Sequence, residues 1–154
     1  MSNRKEMLAA AERAILERRP GTMVGMLHVH LRRLRQISIA LDHDIADAVP
    51  GAAEERLRAF LRSADLVARI GEQDFMVVLP NLLSPGHAEL AAQRVLREFE
   101  RPLHVLGRLI EATVALGLAW SPEHAGSADA LARRATAALD VALGSGNRLK
   151  LASG

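Results

Sequence analysis

The stretch Leu66-Val67-Ala68-Arg69-Ile70-Gly71-Glu72-Gln73-Asp74-Phe75-Met76-Val77-Val78-Leu79-Pro80 decides how this chain folds. Two short apolar runs, Leu66 to Ile70 and Phe75 to Leu79, flank the polar tetrad Gly71 to Asp74. Such runs are too short for helices, and a glycine-led polar break between them is the pattern of a hairpin. Upstream, Leu57, Phe60 and Leu61 predict a helix over Ala53 to Leu61. Before it, Leu34, Ile37, Leu41, Ile45 and Ala48 recur at three- and four-residue spacing, which predicts a helix closed by Pro50-Gly51. Met23 to Leu31 is nearly all apolar and follows Pro20-Gly21, so it is expected to be a buried strand. Ahead of that, Met7, Leu8, Ala11 and Ile15 mark an amphipathic helix between Ser2 and Arg19. Its stripe either docks on its own domain or forms a homodimer seam.

Downstream of the hairpin, Leu90, Ala91, Val95 and Leu96 predict a helix over Pro85 to Phe99. Leu103 to Leu106 and Leu109 to Trp120 flank Gly107 as a second hairpin. Ser127 reads as the N-cap of a last helix, with Leu131, Ala135, Ala138, Leu139 and Ala142 on its face and Gly144 to Gly146 at its end. A short strand around Arg148 to Leu151 closes the chain. The order β-α-α-β-β-α-β-β-α-β predicts an α+β domain whose central, largely antiparallel sheet is flanked by helices. Residues 1–20 form a linker helix on this reading, and residues 21–154 the domain proper.

A length of 154 residues, 49% hydrophobic and 25% charged, suits one globular core. No apolar run approaches the roughly 20 residues of a membrane-spanning helix, and the charged N-terminus does not read as a signal peptide. The absence of cysteine excludes disulfides and thiolate metal sites, and fits a cytoplasmic location. A net charge of +2 with 3% aromatic residues lacks the basic stripe and stacking rings of nucleic-acid binders, so no nucleic-acid partner is expected.

The hairpin sequence Ala68-Arg69-Ile70-Gly71-Glu72-Gln73-Asp74-Phe75 with Met76 to Pro80 resembles the signature of the GGDEF domains, the bacterial diguanylate cyclases. Leu27 to Ser38 is similar to that family's first strand and helix, written D-x-D-x-F-K-x-I-N, and His43 to Asp47 to its G-H-x-x-G-D segment. Ala112 to Trp120 with Ser121-Pro122 resembles S-x-G-x-A-x-x-P, and Ala135 to Leu139 resembles A-D-x-A-M. The resemblance runs collinearly from Gly21 to Leu151 and implies the palm-like nucleotide-cyclase fold.

The family joins two GTP molecules into cyclic di-GMP, with carboxylates holding divalent metal on the triphosphate. Carried onto this sequence, the two aspartates of the first motif are His30 and Arg32, and the metal-binding acid of the signature is Gln73. Asp74 keeps the adjoining acid, and Glu72 stands where a glycine backbone should lie close to phosphate. The guanine-binding asparagine is Ser38, while Asp47 matches the base-reading aspartate. Leu143 and Asn147 replace a phosphate-binding lysine and an arginine, and only Arg35 keeps its charge in register. Magnesium is a hard cation that wants oxygen ligands, so an imidazole and an amide in place of carboxylates remove most of its binding. The resemblance therefore implies a pseudoenzyme with no catalytic residue, metal or cofactor.

One pattern points the other way. Arg62-Ser63-Ala64-Asp65 matches the R-x-x-D of the family's inhibitory site, which binds cyclic di-GMP away from the cleft. A guanidinium can grip phosphate or a guanine edge, and a carboxylate can accept from guanine N–H groups. The same pair also reads as an exposed ion pair at a helix end. His28 and His30 share a strand face, a geometry that fits zinc if a third ligand exists and otherwise a relic of the cleft. Arg32-Arg33-x-Arg35 reads as an anion contact or as a solvated helix face. The expected function is regulatory, in cyclic di-GMP signalling, through dinucleotide binding at Arg62 and Asp65. The alternatives are a protein-interaction scaffold, and a GTP-binding regulator of an adjoining EAL phosphodiesterase; a sensor domain is a further expected neighbour.

Overall fold

The computed structural model describes residues 3–33 and 42–152. Helix α1 (Asn3–Glu17) precedes β1 (Met23–Arg32), α2 (His43–Phe60), β2 (Leu66–Arg69), β3 (Asp74–Leu82) and α3 (Pro85–Glu98). Then follow β4 (Leu103–Val105), β5 (Arg108–Ile110), β6 (Thr113–Ser121), α4 (Ala128–Ser145) and β7 (Leu149–Leu151). The main sheet runs β2-β3-β1-β6-β7, antiparallel at every junction except β6 with β7, which are parallel. The chain is thus the expected α+β domain, with a mixed sheet.

Alternation along the strands divides the core into two layers. Leu27, Val29, Leu31, Phe75, Val77 and Leu79 face α2 and α3, where Val49, Leu57, Ala92 and Val95 cover them. Val24, Met26, Met76 and Val78 face the opposite side, under Met7, Ala11 and Ile15 of α1 and Leu131 and Ala135 of α4. Of the two fates open to the α1 stripe, docking on its own domain is the one observed. Helix α4 begins at Ser127, whose side chain accepts from Ala130 N–H, and ends at Gly146 with φ +76°.

Two expectations about elements need correction. Pro50-Gly51 does not end a helix: α2 runs through Pro50, and the separate helix expected at Ala53 to Leu61 is its second half. Asp42 caps α2 by accepting from Asp44 N–H, and the buried series Ile45, Val49, Ala53 and Leu57 continues past the proline. That continuous burial offsets the missing proline N–H. The part of the first expected helix from Leu34 to Leu41 lies outside the described residues. Nor do Leu109 to Trp120 form one strand. Leu106 and Gly107 take φ of +50° and +79°, and this tight turn pairs only Leu103 to Val105 with Arg108 to Ile110. β6 then starts afresh at Thr113 beside β1.

Candidate functional site

Strand pairing sets the site at the hairpin. Antiparallel register places Asp74, the first residue of β3, directly opposite His30 of β1, with His28 two residues away on the same face. Asp74 Oδ1 accepts from both imidazoles, from His28 Nε2 at 2.8 Å and His30 Nδ1 at 3.0 Å. His28 Nδ1 lies 2.8 Å from Thr136 Oγ1 on α4. His28 thus donates to Asp74 through Nε2 while its other ring nitrogen shares a hydrogen bond with the threonine hydroxyl, which fixes the ring between β3 and α4. Burial by itself would raise the Asp74 carboxyl. The two histidine hydrogen bonds, with the positive charge of the imidazoles, outweigh it and hold the carboxyl well below the usual carboxylate range.

The turn between the strands is held from its own hairpin and from β1. Arg69 donates to the carbonyls of Gly71 and Glu72 at 2.9 and 3.0 Å, and Leu31 N–H donates to the Gln73 carbonyl at 2.7 Å. Glu72 is exposed and its φ is not positive, so its side chain sits in the turn without strain. Gln73 is half-buried beside it. Arg32 ends β1 opposite Thr113, and Asp47 is exposed on α2. Neither is bonded to the histidine-aspartate cluster, while Ser38 and Arg35 lie outside the described residues. Of the residues that the resemblance assigns to the family's cleft, the fold therefore joins His30 to Asp74 and adds His28 and Thr136. Sequence reasoning missed Thr136, although it is a hydroxyl in the middle of an alanine-rich helix.

This donor set does not fit magnesium. Asp74 already accepts two N–H groups, its neighbours are imidazole and amide where the ion needs anionic oxygens, and the other acid of the turn, Glu72, is exposed to solvent. Among the described residues no group of three or more His, Asp or Glu side chains surrounds a space for a metal ion, and Asp74 closes on the two histidines by hydrogen bonding.

A second constellation lies on the far side of the hairpin. Arg62 and Asp65 close on each other, with Nη2 to Oδ1 at 2.7 Å and Nε to Oδ1 at 3.0 Å, while Arg62 N–H caps Oδ2 at 2.9 Å. Arg62 Nη2 also donates to the Pro80 carbonyl at 2.9 Å. The Asp65 side chain is 2% exposed, whereas that of Arg62 is 49% exposed. The pair sits at one wall of a groove of about 490 Å³ with Phe60, Leu82 and Leu90 among its apolar lining and Arg19 and Arg94 at its rim. Arg94 lies over the Phe60 ring, 5.4 Å from its centroid. Sequence reasoning missed Arg19 and Arg94, which belong to no local pattern and reach the groove from separate elements.

Comparison with known proteins agrees with this architecture. The family model described as "Diguanylate cyclase, GGDEF domain" matches residues 1–148. Diguanylate cyclase TpbB of Pseudomonas aeruginosa is 31% identical over 120 residues, covering 77% of this chain and 28% of that protein. Cyclic di-GMP phosphodiesterase NbdA of the same species is 28% identical over 119 residues, covering 77% of this chain and 15% of NbdA. The chain thus spans under a third of the length of these relatives. The crystal structure of the TpbB (YfiN) GGDEF domain superposes with a TM-score of 0.91 at 27% identity, covering 98% of this chain and 96% of that one. An EAL/GGDEF domain protein from M. capsulatus gives a TM-score of 0.80 at 28% identity, with 99% of each chain covered. Register, site placement and these likenesses agree that the chain belongs to the GGDEF domain family of the diguanylate cyclases.

Proposed function

We propose that this is a catalytically inactive GGDEF domain that serves cyclic di-GMP signalling by binding the dinucleotide beside Arg62 and Asp65. The observation that carries the first half is Asp74, the acid at the start of β3, which is bonded to His28 and His30 at 2.8 and 3.0 Å. A cation approaching it must displace two hydrogen bonds and would then meet Gln73 and two imidazoles beside Asp74, while Glu72, the other acid of the turn, is exposed to solvent. The exposed Glu72 adds negative charge where a triphosphate would come close. The second half is supported by the groove beside the R-x-x-D pair, with an apolar floor and guanidinium groups at its edge. TpbB is named a cyclase and NbdA a phosphodiesterase, so the dinucleotide is common to the chemistry of these relatives.

One observation favours a scaffold reading in which the groove binds no nucleotide. Asp65 is closed under Arg62 and only 2% exposed, so it can accept from a guanine edge only after the pair opens. Arg62 is half exposed but Asp65 is not, so opening the pair leaves a buried carboxylate and costs more than parting a surface ion pair, a cost that dinucleotide contacts must offset. Calorimetric titration with cyclic di-GMP separates the two readings. Binding by the wild type that weakens by about tenfold or more in Arg62→Ala is the expected result. No heat from the wild type would establish the scaffold reading instead. The same protein incubated with GTP and Mg²⁺ is expected to yield no cyclic di-GMP by chromatography, and steady product formation would overturn the claim of inactivity.

A further inference from the structure

The turn from β6 to α4, residues 122–127, is closed by a buried imidazole that belongs neither to the hairpin cluster nor to the arginine groove. His124 is 7% exposed, and its Nδ1 accepts the Trp120 backbone N–H at 3.0 Å. Main-chain bonds reinforce the closure. His124 N–H donates to the Trp120 carbonyl at 2.9 Å, and Arg134 Nη1 of α4 donates to the His124 carbonyl at 2.8 Å. One residue therefore ties the end of β6 to the second turn of α4. Its ring also lies against the Trp120 indole, with centroids 4.3 Å apart and planes inclined by 53°.

The Nδ1 contact admits a single protonation state. A ring nitrogen that accepts from an amide carries no proton, so the proton of His124 sits on Nε2. A second proton at Nδ1 turns the acceptor into a donor and sets two N–H groups against each other across a buried contact. Among the described residues two charged groups face the ring, Glu123 from the turn and Arg134 from α4. Strand β1, which meets the end of β6 through Val24 and Gly25, brings no ionisable side chain. Glu123 Oε2 lies 4.0 Å from His124 Nε2, and the same oxygen accepts Trp120 Nε1–H at 2.8 Å. Burial holds the imidazole below its ordinary value of 6.5, Glu123 opposes that, and Arg134 adds to it.

We propose that this turn is an acid-sensitive latch: neutral His124 keeps β6 and α4 closed around Trp120, and the protonated ring leaves the Trp120 N–H and turns to Glu123 at the surface. The Glu123 side chain is 59% exposed, so an imidazolium paired with it regains water. That carboxylate is also the acceptor of the indole N–H, and the same step therefore frees Trp120 at both of its nitrogens. An imidazole held below its unfolded value leaves the closed turn at full stability at higher pH, and closure weakens as the pH falls below 6.5. None of this depends on dinucleotide binding at Arg62 and Asp65.

Trp120 is the one tryptophan of the chain, so its emission reports on this turn alone. The test follows emission maximum and acrylamide quenching of the full chain from about pH 8 to about pH 5, above the range in which Asp74 loses its charge. The wild type is expected to shift to longer wavelength and to become more open to acrylamide below pH 6.5, and to recover when the pH is restored. His124→Gln offers an amide carbonyl to the Trp120 N–H but does not titrate, and is expected to lose the shift. Glu123→Gln removes the charge that favours the imidazolium, so its shift is expected at lower pH. A wild type whose emission stays constant, or a shift that persists in His124→Gln, overturns the latch. A midpoint unmoved in Glu123→Gln overturns the part given to that carboxylate. Nitrogen NMR of the wild-type imidazoles needs no variant: at about pH 8 the His124 proton is expected on Nε2, and a ring protonated at Nδ1 there overturns the inference.

Discussion

Asp74, in the signature hairpin, is held by structural contacts to two histidines of β1. Burial disfavours its charge, but the hydrogen bonds and positive charge of His28 and His30 favour it more, and its carboxyl lies below the ordinary value of 3.8. A folded-state acid stronger than its unfolded counterpart adds stability above the unfolded value and loses it as the pH falls below that value. Asp74→Asn is therefore expected to destabilise the domain by about 1–3 kcal/mol at neutral pH, with the gap from wild type closing below about pH 4. Urea unfolding of both proteins from pH 7 to pH 3 measures this, and a gap that stays constant across the range would refute the assignment. The period of a strand put His28 and His30 on one face from sequence alone. It could not put Asp74 opposite them, because register is a non-local property, or supply Thr136, which lies 108 residues from His28.

Among the elements, α4 lies unusually close to the sheet. A Cβ on Gly117 would sit 2.0 Å from the Ala135 carbonyl oxygen and 2.5 Å from Leu139 N, both rigid helix backbone. Gly117 pairs with His28, so a helix lifted off β6 would also pull Thr136 away from that imidazole. Gly117→Ala is expected to cost about 3 kcal/mol or more in chemical denaturation. Gly71→Ala, by contrast, meets nothing closer than 3.5 Å and needs no left-handed backbone, so its change should stay within about 0.5 kcal/mol. Equal costs at the two positions would contradict this picture of the packing. The signature glycine is thus dispensable to the fold, while a glycine of β6 governs the seat of α4. Local signals were legible wherever the cause was local, as at Ser127 and Gly146. They misled at Pro50, where tertiary burial of Val49, Ala53 and Leu57 carries the helix past a residue that stops it in isolation.

Across the whole molecule, the order of the core elements followed from hydrophobic period and turn residues, whereas the place of α1 did not, because a short amphipathic stripe does not name the surface that buries it. In the folded chain Met7, Ala11 and Ile15 cover Val24, Met26, Met76 and Val78, and Glu12 Oε1 accepts from Ala128 N–H at 2.8 Å, at the positive end of α4. Burying those three side chains contributes roughly 4–5 kcal/mol, a large share of the about 5–15 kcal/mol that holds a domain together. A chain begun at Gly21 should accordingly lose several kcal/mol in urea unfolding and expose the Met26 and Met76 face to a hydrophobic dye. If that shortened chain instead unfolded at the same denaturant concentration as the full one, α1 would be a linker with no part in the core. The observed burial argues for the opposite: α1 is a structural layer of the domain, tied to α4 through Glu12 and Ala128 and followed by a turn that Asn81 fastens to β3.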